Sequence, residues 1–190
     1  MGGGAGADPE ALDAAAPAGR ASDQTPAMGR VRVGITIDAP PAEVWRTVEA
    51  VERHVEWMAD AVAIRFTSRR RRGVGTTFEC DTRVGPFTLT DVMEVTEWRD
   101  RKVIGVRHVG VVTGTGRFTL RRARGGRTRF TWEERLTYPR HLGGPLGGIV
   151  GDRVMRVVWT RNLRRLKHQV EGATPPGPPS PARGRRRRAG

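Results

Sequence analysis

GGIVGDRVMRVVWTRNLRRLKHQVE, residues 147–171, is the stretch on which the fold turns. Met155, Trp159, Leu163, Leu166 and Val170 follow one another at intervals of four, four, three and four, which places them on one face of an α-helix. Val150, Val154, Val157 and Val158 widen that face, while Arg153, Arg156, Arg161, Arg164, Arg165 and Lys167 fill much of the remainder. A helix of this kind must bury its stripe against another layer. The preceding chain supplies one, because from Val31 to Thr137 the apolar residues recur mostly with a period of two.

Val31, Val33, Ile35 and Ile37 alternate with Arg32, Gly34, Thr36 and Asp38, a strand with one buried face. Ala39-Pro40-Pro41 ends it, and Pro41 suits a first helical turn, where a missing N–H costs nothing. Val44, Val48 and Val51, with Trp45 beside them, predict a short helix, and a second short segment carries His54 and Trp57. The alternation then resumes in Val62, Ile64 and Phe66; in Val74, Thr76, Phe78, Cys80 and Thr82; and in Phe87, Leu89, Asp91, Met93 and Val95. Val103–Val109 reads equally well with either face inward, which leaves His108 unassigned. Gly116, Phe118 and Leu120 form the next inward face, and Gly125-Gly126 marks a hairpin. Phe130, Trp132, Glu134 and Leu136 oppose Arg129, Thr131, Glu133 and Arg135 in the last strand. The expected order is therefore one strand, two short helices, an antiparallel meander of six strands, a Gly-rich loop and the long helix.

The ends differ in kind. Residues 1–29 and 172–190 are built from Gly, Ala, Pro, Ser, Asp and Arg with almost nothing large and apolar, so both are expected to be disordered tails around a domain at 30–171. The formal charge is +14, and the acidic first tail nearly offsets the basic last one, so the excess belongs to the domain. Of 34 basic residues only Lys102 and Lys167 are lysine, a bias that also fits arginine filling ordinary solvated positions. Arg185, Arg186, Arg187 and Arg188, with the run Arg69–Arg72, are expected to give weak, salt-sensitive and sequence-independent polyanion binding. No aromatic residue interleaves with either cluster, so base stacking is not expected. Cys80 is the sole cysteine, so no internal disulfide forms. No signal peptide or membrane-spanning run is visible, which makes a cytoplasmic protein the expectation.

Three segments carry a resemblance: Ile37-Asp38-Ala39-Pro40-Pro41-Ala42-Glu43-Val44-Trp45, His54-Val55-Glu56-Trp57, and Gly73-Val74-Gly75-Thr76-Thr77-Phe78. With the order of elements, they resemble the START-like helix-grip superfamily, also called SRPBCC, and within it the polyketide cyclase/dehydrase branch. The resemblance covers residues 30–171. It implies an α+β domain in which a seven-stranded curved antiparallel sheet wraps the C-terminal helix, with a cavity between them for an apolar or aromatic small molecule. Catalysis of a polyketide cyclisation or dehydration is the alternative it implies.

The residues themselves nominate a site. Trp132, Met155 and Trp159 either line such a cavity or are plain core, and Phe78 and Met93 share the inward faces. Tyr138 either bonds a ligand at the mouth or caps the core edge, and the loop Arg140–Gly148 would gate access. Asp91 and Glu134 break apolar faces, and an unpaired buried carboxylate costs several kcal/mol. They are the acid–base candidates; the competing explanation is a structural ion pair with Arg107 or a strand end already in water. Cys80 reads as a small buried hydrophobe rather than a nucleophile. No GxxxxGK loop, dinucleotide fingerprint or metal-ligand spacing is present, so neither a cofactor nor a metal is expected.

Overall fold

The computed structural model describes residues 28–110, 112–137 and 144–173, with side chains for all of these except Met28, Phe87 and 144–150. Strand β1 (Met28–Ile37) is followed by helix α1 (Pro41–Val48), a 3-10 helix (Val51–Glu56), and strands β2 (Ala61–Phe66), β3 (Thr77–Val84), β4 (Phe87–Arg99), β5 (Val103–Val109), β6 (Thr113–Arg122) and β7 (Thr128–Thr137). Helix α2 (Gly144–Ala173) closes the order. The seven strands form one antiparallel sheet in the order β1-β7-β6-β5-β4-β3-β2. Only β1 leaves its sequence neighbour, to pair with β7 in an unbroken register from Met28↔Thr137 to Ile37↔Thr128.

The sheet's inner face and α2 share one core. Val31, Val33, Ile37, Phe118, Phe130 and Trp132 from the strands meet Trp159, Leu163, Leu166 and Val170 from the helix. A smaller cluster of Val51, Phe78 and Val95 lies beneath the 3-10 helix, with Ile64, Phe66 and Met93 against it. The C-terminal half of α2 is fastened by polar contacts as well. Asn162, fully buried, accepts from the Ala59 N–H at 3.0 Å and donates to Asp60 at 2.5 Å. Lys167 donates to the Thr36 carbonyl at 3.0 Å, and Glu171 accepts from the Asp38 N–H at 2.6 Å.

Local geometry overrides the expected pattern in four places. A register shift between Ala61 and Ala63 bulges β2, so Ala61 is buried and Val62 turns outward. Val74 lies in the turn between Gly73 and Gly75, both at positive φ, and is exposed instead of inward. On α2, Val154 and Val157 are exposed, so the buried stripe is narrower than the valines suggest and includes Asn162. Finally, α2 begins at Gly144 rather than Gly147, with Pro145 in its first turn, so residues 144–148 of the expected gate loop are helical. Met28 and Gly29, expected in the first tail, belong to β1, and Gly172 and Ala173, expected in the last, belong to α2. The rest of the gate loop, Tyr138, residues 1–27 and residues 174–190 lie outside the described residues.

Candidate functional site: a buried acid–histidine–acid cluster

His108 stands on the inner face of β5, opposite Met93 on β4 and Gly114 on β6. From one side Asp91 on β4 reaches its Nδ1, and from the other Glu134 on β7 reaches its Nε2 at 3.1 Å. All three side chains are buried, with relative exposures of 6% for Asp91, 7% for His108 and 6% for Glu134. Both ring nitrogens face carboxylate oxygens, which accept when ionised, so the arrangement favours an imidazolium that donates to both. Burial works against that charge, but the hydrogen bonds His108 donates to Asp91 and Glu134, with their negative fields, outweigh it, raising the His108 pKa to about 9.

The reach of Glu134 depends on a glycine. Glu134 is paired with Gly116 on β6, and its carboxylate must cross that strand to arrive at β5. A Cβ on Gly116 would lie 2.5 Å from Glu134 Oε1, so any other residue would obstruct the path. The second carboxylate oxygen is held by the Trp132 indole, which donates to Oε1 at 2.7 Å. Trp132 in turn stacks on Trp159 of α2, with ring centroids 4.8 Å apart and planes 24° from parallel. A sequence that reads as separate apolar and acidic positions thus makes one continuous unit from helix to sheet: Trp159, Trp132, Glu134, His108, Asp91.

One atom of this unit is unsatisfied. Asp91 Oδ1 is buried and has no hydrogen-bond partner, as also holds for Trp57 Nε1, Thr76 Oγ1 and Asp152 Oδ1 among the described residues. Arg107, the ion-pair partner in the competing explanation, points to the opposite face and pairs with Glu94 at 2.6 Å. Among the described residues no arginine or lysine contacts Asp91 or Glu134; the only cation they share is His108.

The remaining site residues divide. Met155 is half-buried against the main core, near Trp159 in sequence and on the same helical face, whereas Phe78 and Met93 belong to the smaller cluster, where Phe78 meets Phe66 edge-on at 6.3 Å. Cys80 is buried, and burial pushes its thiol up to about 11, away from nucleophilic reactivity at neutral pH. His54 is also buried but meets no acid: it contacts the Val48 carbonyl at 2.7 Å, and burial lowers its pKa to about 4. A groove of about 420 Å³ on the surface beside α1, lined by Trp45, Arg46, Glu49, Arg72, Asp100 and Arg101 among others, contains none of the predicted site residues. No group of three acidic, histidine or cysteine residues among the described ones is arranged around a metal position. His108 lies between its carboxylates and does not converge with them on a common point. No helix among the described residues is long and apolar enough to cross a membrane.

His108 is the residue that sequence reasoning missed. The available signal was the pair Gly114 and Gly116, two residues apart on one face of β6, because glycines on an inward face clear space for long neighbours.

A curved seven-stranded antiparallel sheet gripping a long C-terminal helix, with a polar cluster on its inner face, defines a START-like helix-grip domain. The chain belongs to the family described as polyketide cyclase/dehydrase and lipid transport, whose sequence pattern matches residues 28–171. Solved structures agree on the fold. The protein TTHA0849 from Thermus thermophilus is similar at 20% identity and a TM-score of 0.64, over 77% of this chain and 99% of that one. The Zhui aromatase/cyclase of a Streptomyces species is similar at 15% identity and a TM-score of 0.64, over 76% and 94%. A START superfamily protein from Mycobacterium smegmatis reaches 13% identity and a TM-score of 0.64, over 76% and 99%. No functionally curated protein matches the chain.

Proposed function

We propose that the protein binds a hydrophobic, aromatic small molecule between the inner face of the sheet and the N-terminal half of α2. The observation that carries this reading is the Trp159–Trp132 stack joined through the Trp132 N–H to a buried charged cluster. Although both indoles are packed in the core, they border the cluster with large apolar area and a fixed polar handle, and a buried ion cluster is only weak evidence for a stabilising role. Membership of a cyclase, dehydrase and lipid-transport family supports the same class of ligand. The C-terminal half of α2 is pinned by Asn162, Lys167 and Glu171; among the described residues nearer its start, the polar contacts of Asp152 and Arg156 go to the backbone of β1. Tryptophan fluorescence with neutral polycyclic aromatics such as anthraquinone tests the proposal. Saturable quenching is expected, and it should weaken in Met155→Arg. A linear, unsaturable response from every probe would overturn it.

A second reading, acid–base catalysis, is favoured by the meeting of Asp91 and Glu134 on one imidazolium. In a β-hydroxy ketone, a carboxylate would take the α-proton as the new C=C bond forms. His108, on releasing one of its two carboxylate partners, would turn that N–H to protonate the departing hydroxyl, releasing water. The test is dehydration of a β-hydroxy aryl ketone followed by absorbance. Activity should fall above pH about 9, as His108 loses its proton. Unchanged turnover in His108→Gln would refute the catalytic reading and leave binding intact.

A further inference from the structure

Accepting that a small molecule binds beside the cluster, we infer that Asp91 sets its chemical class: a neutral ligand with a hydroxyl donor, of phenol or enol type, and not a carboxylate. The unsatisfied Oδ1 of Asp91 is the first reason. It is a buried acceptor on a side chain with 6% exposure and no donor from this chain reaches it, so a donor from outside the chain, a water or a ligand that displaces it, must complete it. Its surroundings ask for a single donor. Cys80 is its partner across β3, while Leu89 and Met93 flank it on β4. At Gly110 a Cβ would come within 3.5 Å of Oδ1, in contact with it, so the lack of a side chain on this glycine is what leaves Oδ1 uncrowded on that side. A hydroxyl has one O–H to place; an ammonium would bring three N–H donors, most of which this apolar rim would leave unpaired.

Charge gives the second reason. Two carboxylates enclose one imidazolium, so the cluster holds one negative charge in excess. No arginine or lysine among the described residues contacts it. A ligand carboxylate would be desolvated beside like charge with no cation to receive it. The inner face therefore excludes fatty acids and other free acids, even though apolar area alone would accept them.

Four isosteric probes separate this inference from the binding reading on which it rests: naphthalene, 2-methoxynaphthalene, 2-naphthol and 2-naphthoate, each titrated at pH 7 against tryptophan fluorescence. A hydrogen bond to a charged acceptor predicts 2-naphthol binding roughly ten- to a hundred-fold tighter than 2-methoxynaphthalene, with 2-naphthoate the weakest of the four. In Asp91→Asn the naphthol-to-methoxynaphthalene ratio should collapse, because an amide N–H can also serve the ether oxygen. Equal affinity for naphthol and methoxynaphthalene in the unaltered protein, or naphthoate binding as tightly as naphthol, overturns the inference while binding stands. Absence of saturable quenching by all four defeats the binding reading, and this inference with it.

Discussion

The two faces of the same sheet treat charge in opposite ways. On the outer face, acids are matched by arginines that stay in water: Arg107 with Glu94, Arg65 with Asp81, Arg117 with Glu97, Arg30 with Glu133. On the inner face two acids share one histidine out of solvent. A chain with 32 arginines uses none of them there among the described residues. Outer pairs reach each other through long flexible stems and are worth little, with medians of about 0–1 kcal/mol. The inner cluster is held by short side chains at fixed register, so its geometry is far more constrained.

The largest difference should appear on deleting one member from each face. His108→Ala leaves Asp91 and Glu134 buried without a cation and should destabilise the fold by about 3–5 kcal/mol. Arg107→Ala, only one residue away in sequence, should cost roughly 0–1 kcal/mol, since the Arg107 side chain is 57% exposed. Urea denaturation of both variants measures the contrast. Costs within about 1 kcal/mol of each other would mean that the inner cluster is wet and behaves like the outer pairs.

The interior contains two histidines of opposite character, His108 on the sheet's inner face and His54 on the 3-10 helix packed against it, which gives stability a maximum in pH. His108, raised to about 9, contributes stability that is complete below the unfolded value of 6.5 and lost as pH climbs to 9. His54, lowered to about 4, acts in the reverse sense: its neutral form is favoured by folding, so stability falls as pH drops from 6.5 to 4. Each contribution is on the order of 3 kcal/mol. Unfolding free energies from pH 4.5 to 9.5 should therefore peak near pH 6.5. His108→Gln should flatten the alkaline limb and His54→Gln the acidic one. A monotonic alkaline rise in the unaltered protein would contradict the charged state assigned to His108.

Gly116 makes the inner cluster possible, and its replacement is the next test in size. In Gly116→Ala the new methyl would meet the Glu134 carboxylate at 2.5 Å, forcing it off both His108 and the Trp132 indole. Loss of those bonds predicts roughly 1–3 kcal/mol. The His108 titration, followed by NMR, should also move down toward 6.5 as one carboxylate leaves. A stable variant with an unmoved titration would show that Glu134 has another route to the ring.

Much of this contrast lay beyond the reach of sequence, and the reasons differ by residue. Strands β1 and β7 were legible because alternation is strict where one face is buried and the other wet, as at Phe130, Trp132 and Glu134 against Arg129 and Arg135. The α2 stripe was legible through Trp159, Leu163, Leu166 and Val170, but Val154 and Val157 show that apolar identity alone does not fix a face. Strand β5 hid its orientation because Val103, Ile104 and Gly105 are consecutive and all buried. With that orientation hidden, Arg107 and His108 were interchangeable as partners for the acids. The cluster itself depends on the register of four neighbouring strands, β4 to β7, and on the missing side chain of Gly116. Such relations belong to pairing rather than to any single segment. The bulge that turns Val62 outward is of the same kind.

The smallest expected effect lies on the outer face, where arginines lack acids. Arg121 on β6 stands directly opposite Arg129 on β7, and Arg122, Arg124 and Arg127 surround the same hairpin. Among the described residues Arg129 finds only the Thr36 hydroxyl at 3.5 Å, and Arg127 only the Arg124 carbonyl at 3.0 Å. Like charges facing each other across an antiparallel pair are unfavourable, and an opposite-charge pair is worth roughly 0.2–1 kcal/mol. Arg121→Glu should therefore stabilise the protein by about that amount in dilute buffer. Because both groups sit in water, the gain should shrink toward zero near 1 M salt, where the screening length is about 3 Å. The His108 cluster, out of solvent, should show no such dependence: the cost of His108→Ala should stay nearly constant across the same salt range. Parallel salt series on the two variants would expose any error in assigning one charge set to water and the other to the interior. A salt-sensitive His108→Ala penalty is the result that would erase the distinction between the faces.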